Sequence, residues 1–218
     1  VLAGCGDSGD GEAKRAKVSA SASEDSFETA LPDQEETEPV YADGPEGVID
    51  KKADEEGWSY DGLYGSASEF VSDICESLPS SAKDSSSRPQ WLAESGMLDG
   101  DGKAILRFGV PKLCPKWKST VSRAVAGTYE RWLSNGDYEI TPKPKPLDAS
   151  GESDVMEAAP GTYRISGDLS DCYWERTSKS GDILDNQFAS QARVITVTLN
   201  VGELFRSEGC AGAWKPVR

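Results

Sequence analysis

Five cysteines and no histidine set the chemistry open to this 218-residue chain. Without histidine there is no Ser-His-Asp triad, no Cys–His dyad and none of the commonest metal ligand. Cys75, Cys114, Cys172 and Cys210 are widely spaced, with no C-x-x-C pair among them, so a zinc site is not expected. An even set of separated cysteines in an exported protein reads as two disulfides. Four cysteines allow three pairings. Chain order and the Pro-rich stretch between the second and third favour Cys75–Cys114 and Cys172–Cys210. Each pair would close a loop of about 40 residues, worth about 4 kcal/mol on a chain-entropy argument. Cys5 stands apart from these four. It comes after Val1-Leu2-Ala3-Gly4 and precedes the polar, flexible run Gly6-Asp7-Ser8-Gly9-Asp10-Gly11.

Leu2-Ala3-Gly4-Cys5 resembles a bacterial lipobox, the tail of a lipoprotein signal peptide. Small residues at Ala3 and Gly4 suit a peptidase with a narrow approach. The resemblance implies that the Cys5 thiol is linked to a diacylglycerol and that cleavage leaves Cys5 first in the mature protein. The chain is therefore expected to continue a precursor upstream of Val1. Two acyl chains make a stable anchor, at about 0.8 kcal/mol per buried methylene. No run of 18 or more apolar residues occurs in the sequence. Anchoring is thus expected to rest on Cys5 alone, with the protein held on the outer face of the cell membrane.

Other chemistries fail on spacing. Asp99-Gly100-Asp101-Gly102 resembles the start of a calcium loop, but the twelfth position, which needs Glu, is Val110. A tight turn is the expectation there. There is no G-x-x-x-x-G-K-[ST] and no G-x-S-x-G. Carboxylates are plentiful, yet no pair stands out as a glycosidase acid and base. No catalytic residue, metal or cofactor is expected, and the protein reads as a non-enzyme. With 23 basic and 38 acidic residues the net charge is −15. Such a chain is a poor nucleic-acid binder, because phosphate recognition needs clustered Lys and Arg. Tyr173 and Trp174 are the candidate ligand contacts. Adjacent residues on a strand point to opposite faces, so one should meet solvent or a partner. Aromatic side chains are favoured anchors for sugars and proteins.

The elements that must carry these residues divide by composition. Residues 1–65 hold 17 acidic and 5 basic residues. They read as the lipobox remnant and then a disordered acidic tether, extended by repulsion between carboxylates. Toward its end Val48, Ile49, Trp58, Tyr60 and Tyr64 reappear, as if that end docks on the domain beyond residue 65. Residues 66–140 read as a small helical domain closed by a disulfide. One helix puts Phe70, Ile74 and Leu78 on one face, beside Val71 and Cys75, with Ser68 as N-cap and Pro79 as stop. Further helical segments are expected near Pro89–Ser95 and Lys103–Val110, and a long one over Lys116–Leu133. On the last, Trp117, Val121, Ala124, Val125, Thr128 and Trp132 form an apolar stripe that reads as core. Residues 141–156 form a Pro-rich linker. Residues 157–218 read as a small β domain. Its strands are Gly161–Ile165, Cys172–Arg176, Arg193–Leu199 (Ile195, Val197 and Leu199 on one face, Val194, Thr196 and Thr198 on the other) and Leu204–Ser207. The fold class is α+β, with the tether first, then the helical part, then the antiparallel β part.

Pro160-Gly161-Thr162-Tyr163-Arg164, Cys172-Tyr173-Trp174-Glu175-Arg176, Phe205-Arg206-Ser207-Glu208-Gly209-Cys210 and Trp214 together resemble a small β module of exported proteins and lipoproteins of actinobacteria. The resemblance covers about 58 residues. It implies a secreted domain with a Cys172–Cys210 bridge, and no activity. Such modules often begin with a further strand carrying a Gly-Thr-Tyr element, a role that Asn135–Ile140 can fill here. Cys75 with Leu113-Cys114-Pro115 is similar to small disulfide-bonded helical domains of mycobacterial secreted proteins. The expected function is a non-catalytic surface lipoprotein, with the membrane as one partner and a cell-envelope protein or polysaccharide as the other. A phage- or plasmid-encoded lipoprotein that interferes with receptors, and a carboxylate-based cell-wall hydrolase, are the alternatives.

Overall fold

A computed structural model describes residues 39–81, 85–145 and 155–218. Cys5 and the acidic stretch 1–38 lie outside the described residues. The fold is α+β: among the described residues, five α-helices precede a β-sandwich. The helices are α1 (Pro45–Glu56), α2 (Ala67–Ser77), α3 (Arg88–Glu94), α4 (Gly102–Leu113) and α5 (Lys118–Ala126), the last entered through a 3-10 turn at Pro115–Trp117. The stripe expected on α2 is buried: Phe70, Val71, Ile74 and Leu78 are at most 3% exposed. Its cap is Ser66 rather than Ser68, with the Ser66 side chain accepting from the Glu69 amide. Ser68 is turned inward. Its amide and hydroxyl donate to the Asp50 carboxylate at 2.7 and 2.9 Å, which ties α1 to the start of α2. α3 begins with a reciprocal Ser87–Gln90 capping box. α4 contributes Ile105, Leu106 and Val110 to the same core. It comes close to α1 and α2 because residue 109 is Gly. A Cβ there would sit 2.6 Å from Val71 Cγ2 and 3.3 Å from Ile49 Cδ1. The Cys75–Cys114 disulfide joins α2 to the end of α4.

Three sequence boundaries move. The tether expected over 1–65 overlaps a helix, because Ile49 and Ala53 on α1 are buried in the helical core. The remaining α1 surface is charged, so its composition looked like tether. The long helix expected over Lys116–Leu133 stops at Ala126. Gly127 takes the left-handed conformation (φ 64°), and the Gly127 and Thr128 amides donate back to the Ala124 and Arg123 carbonyls. Thr128 and Trp132 therefore fall in the connection beyond it. Finally, the strand Gly136–Ile140 belongs to the β part, and a strand begins at Val155, inside the expected 141–156 linker.

The sandwich is built from β1 (Gly136–Ile140), β2 (Val155–Ala158), β3 (Gly161–Leu169), β4 (Cys172–Thr177), β5 (Ile183–Ala189), β6 (Ala192–Leu199), β7 (Leu204–Glu208) and β8 (Lys215–Pro216). One sheet runs β2-β1-β7-β4-β5, and the other runs β6-β3-β8. All pairings are antiparallel except β1 with β2. One buried cluster takes side chains from both sheets, including Tyr138, Ile165, Trp174, Val197, Phe205 and Trp214. On β6 the expected alternation holds, with Ile195, Val197 and Leu199 at most 5% exposed while Val194 is 54% exposed. Cys172–Cys210 bonds the start of β4 to the segment after β7.

Helical and β parts meet across polar contacts. The Gln90 side chain brackets the backbone of Trp132, accepting from its amide at 2.8 Å and donating to its carbonyl at 3.1 Å. Ser87 Oγ donates to the Glu130 carbonyl at 3.1 Å. Residues 40–218 form one compact unit.

Candidate functional site

The register of the five-stranded sheet decides which side chains share its outer face. Asp137 on β1, Arg206 on β7, Glu175 on β4 and Asn186 on β5 stand opposite one another in a row across four strands. The next row holds Glu208, Tyr173 and Phe188. On the other side of the charged row, Leu204 of β7 stands opposite Glu139 and Thr177. Asp137, Arg206, Asn186, Glu208 and Phe188 are all exposed, so no helix among the described residues covers this face, and the three-stranded sheet packs on the opposite one. The result is an open surface in which an aromatic pair borders a strip of mixed donors and acceptors.

Hydrogen bonds pre-set the strip. Tyr173 Oη donates to Glu175 Oε2 at 2.5 Å. That bond is the main cause of the raised Tyr173 pKa, with Asn186 and Arg206 acting in the opposite direction. Arg206 Nη2 donates to Glu208 Oε2 at 3.1 Å. The Glu208 bond and the charge of Asp137 hold the guanidinium firmly protonated. Beside Tyr173, Phe188 leaves 62% of its surface exposed. A ring outside the buried core, next to a hydrogen-bonded phenol and paired charges, can stack on a flat apolar patch while the row beside it hydrogen-bonds.

Of the two expected contacts, only Tyr173 lies on this face. Trp174 points inward, is 5% exposed, and meets Trp214 edge-on with ring centroids 6.5 Å apart. The four expected disulfide cysteines pair as Cys75–Cys114 and Cys172–Cys210. Asp99 and Asp101 form the turn entering α4, where Asp101 Oδ2 accepts from the amide and hydroxyl of Ser59, each at 3.0 Å. Among the described residues no three His, Cys, Asp or Glu side chains converge as metal ligands. Sequence reasoning missed Phe188, because Ile-Leu-Asp-Asn-Gln-Phe-Ala does not alternate. The available signal was the Ser180-Gly181-Asp182 turn directly after β4, which implies a returning strand.

A second concavity, of ≈ 220 Å³, lies at the junction of the helical and β parts and is lined by Ser86, Gln90, Glu94, Arg131, Ser134 and Tyr138 among others. Several of its polar groups make structural contacts, although Glu94 Oε1 and Arg131 Nε are buried without a hydrogen-bond partner among the described residues. Arg131, with 7% of its side chain exposed, places Nε 3.5 Å from Glu94 Oε1 and donates from Nη1 to the Glu157 carbonyl. Burial pushes the Glu94 carboxyl up, against the opposing pull of Arg131. Ser134 donates its amide to Tyr138 Oη at 2.9 Å. These bonds hold the 127–134 connection in place.

No family model, curated protein or solved structure matches the chain. Two disulfides fit a protein of an oxidising, extracytoplasmic environment. No helix among the described residues is long and apolar enough to cross a membrane.

Proposed function

We propose that the protein is a surface lipoprotein, anchored through Cys5, that binds a cell-envelope polysaccharide on the outer face of its five-stranded sheet and catalyses nothing. The observation that carries the reading is the solvent-facing pair Tyr173 and Phe188 beside the Asp137–Arg206–Glu175–Asn186 row. An open face with ring surface and alternating donors and acceptors suits a polyhydroxylated chain, whose sugar rings offer C–H faces and whose hydroxyls both donate and accept. Two disulfides support an exported protein. Two acyl chains on Cys5 would suffice as a membrane anchor.

The test separates anchor from ligand. Cys5→Ser should move the protein from the membrane fraction to the soluble fraction, and unchanged fractionation refutes lipidation. Crosslinking on intact cells with mass-spectrometric readout should recover an envelope glycan. Sedimentation with insoluble cell-wall polysaccharide should then weaken about tenfold for Tyr173→Ala and for Phe188→Ala, the scale of one lost aromatic anchor. Recovery of a protein as the crosslinked partner, or full retention by both variants, removes the polysaccharide reading.

A further inference from the structure

The acidic balance of the chain hides a basic stretch. Between Gly102 and Tyr129, the span of α4, the 3-10 turn and α5, there are six Lys and Arg residues and no Asp or Glu. Lys103, Arg107, Lys112, Lys116, Lys118 and Arg123 are all exposed. On α1 the exposed lysines are matched one turn on by carboxylates, as Lys51–Glu55 and Lys52–Glu56. No such pairing is possible along α4 and α5, and among the described residues none of the six bases forms an ion pair. Lys112 Nζ donates to the Phe108 carbonyl at 3.1 Å and lies 3.4 Å from the centroid of the Phe108 ring, and Arg123 Nε donates to the Thr128 carbonyl at 3.2 Å. Neither contact cancels the charge. On the two helices packed against α4, Asp50 is bonded to Ser68 and Asp73 to Tyr64.

Three of the six converge. Lys103 and Arg107 stand one turn apart on α4 and so share a stripe. Arg107 of α4 and Lys118 of α5 line one cleft, of ≈ 130 Å³, together with the buried Leu106, Val110 and Val121. Bases set around an apolar cleft match a surface that is anionic at its headgroups and apolar just beneath them. A soluble polyanion would meet the bases and leave the cleft empty. We infer that the face carrying Lys103, Arg107 and Lys118 docks on an anionic phospholipid surface, with headgroup phosphates at the bases and glycerol and upper acyl carbons over the cleft. Screening over about 8 Å at physiological salt limits repulsion from the acidic residues elsewhere on the molecule. The inference needs neither a lipid on Cys5 nor a polysaccharide on the five-stranded sheet, since the contact is made by the helical part itself.

Each Lys or Arg held at an anionic surface strengthens partitioning about fivefold, so three give about 100-fold. The test uses the full chain in a Cys5→Ser background, which can carry no lipid and keeps only the disulfide cysteines. It is sedimented with sucrose-loaded vesicles of phosphatidylcholine, alone or with about one-third phosphatidylglycerol, at about 0.1 M salt. Binding should be about 100-fold tighter on the anionic vesicles. Arg107→Gln and Lys118→Gln should each weaken it about fivefold and the double variant about 25-fold, while Arg107→Lys stays within about twofold of the parent. Arg193→Gln, which removes an exposed charge from β6, should change nothing. All these side chains are exposed, and circular dichroism will confirm the fold. A fluorophore on Ser122→Cys, at the cleft, should shift to the blue on anionic vesicles, and one on Arg193→Cys should not. Equal binding to both kinds of vesicle overturns the inference, as does an unshifted Ser122 label or a loss in Arg193→Gln equal to that in Arg107→Gln. Inorganic polyphosphate that binds as tightly at matched phosphate, with the same losses in the variants, would assign the face to a soluble polyanion and overturn it equally.

Discussion

Glu203→Gln should destabilise the protein by about 3 kcal/mol at neutral pH, and the loss should fade in acid. Glu203 precedes β7 and is 8% exposed. Its carboxylate accepts from Arg176 Nε at 2.9 Å and Nη2 at 2.7 Å, and from the Asn200 amide and Nδ2 at 3.0 and 2.8 Å. This cluster fastens the β6–β7 turn to β4. The turn in turn holds the end of β1, since the Glu203 carbonyl accepts from the Ile140 amide and the Gly202 amide donates to the Ile140 carbonyl. The Arg176 bonds chiefly hold the Glu203 pKa down, from 4.5 to about 2. Because the folded value is the lower one, the unfolded chain binds more protons between the two values. The stabilisation is therefore complete above about pH 4.5 and is lost as pH falls toward 2. At about 1.4 kcal/mol per unit, linkage gives about 3 kcal/mol at pH 7, about 1.5 at pH 3 and about 0.5 at pH 2. These are upper values, since water reaches one side of the pair. Glutamine keeps the shape but offers one acceptor and sets an NH2 group against the guanidinium donors. Urea unfolding of wild type and variant at pH 7, 5 and 3 measures the difference directly. A difference that stays constant across that range would refute the assignment, because it would then come from packing and not from the charge.

Two more outcomes rest on the covalent and backbone constraints. Cys75→Ala/Cys114→Ala and Cys172→Ala/Cys210→Ala should each cost about 4 kcal/mol in urea unfolding, because the loops they open are nearly equal, at separations of 39 and 38. A loss confined to one pair would rule out chain entropy as the common source. Gly209 has φ 67°, and a Cβ on it would lie 2.3 Å from the Asp171 carbonyl oxygen. Gly209→Ala should lower stability by at least about 2 kcal/mol, through left-handed strain together with a backbone collision. A thermal midpoint equal to wild type would show that the segment beside the Cys172–Cys210 bridge yields without cost.

The features legible in the sequence were those that a local period encodes. The α2 face and the β6 alternation could be read because their buried residues recur at fixed steps. The disulfide partners came from chain order. The docking of residues 48–64 on the helical core was legible from Ile49, Trp58, Tyr60 and Tyr64, all of which lie in or against that core, but α1 as a helix was not: only Gly47, Ile49 and Ala53 are buried among its twelve residues, and it is tied down by Asp50 reaching Ser68, eighteen residues away. A composition test cannot see a contact of that kind. The end of α5 was legible in principle at Gly127, but Trp132 at helical spacing disguised it. In the structure Trp132 instead lies beneath Lys215 Nζ, 4.2 Å from the ring centroid. Of the candidate face, Tyr173 could be named from the sequence as one of two alternatives. Phe188 could not, because its neighbour across the sheet is set by a hairpin register and not by its own strand's pattern.

The division of labour inside residues 40–218 explains why two disulfides are placed as they are. Each buried cluster contains one bridge, Cys75–Cys114 in the helical core and Cys172–Cys210 in the sandwich. Neither bridge crosses between them. The junction relies instead on Gln90 bracketing Trp132, on Ser87 bonded to Glu130, and on Arg131 set between Glu94 and the Glu157 carbonyl. Polar bonds of this sort contribute only about 0.5–1.5 kcal/mol each, yet leaving one buried partner unmet costs about 1–3 kcal/mol. The junction therefore fixes orientation more than it adds stability. A core of some 15 side chains is small for a lone domain, and a covalent closure in each lets both stay folded without a shared apolar interface. That leaves the outer face of the five-stranded sheet uncovered by any helix among the described residues, with Phe188 exposed beside the half-buried Tyr173.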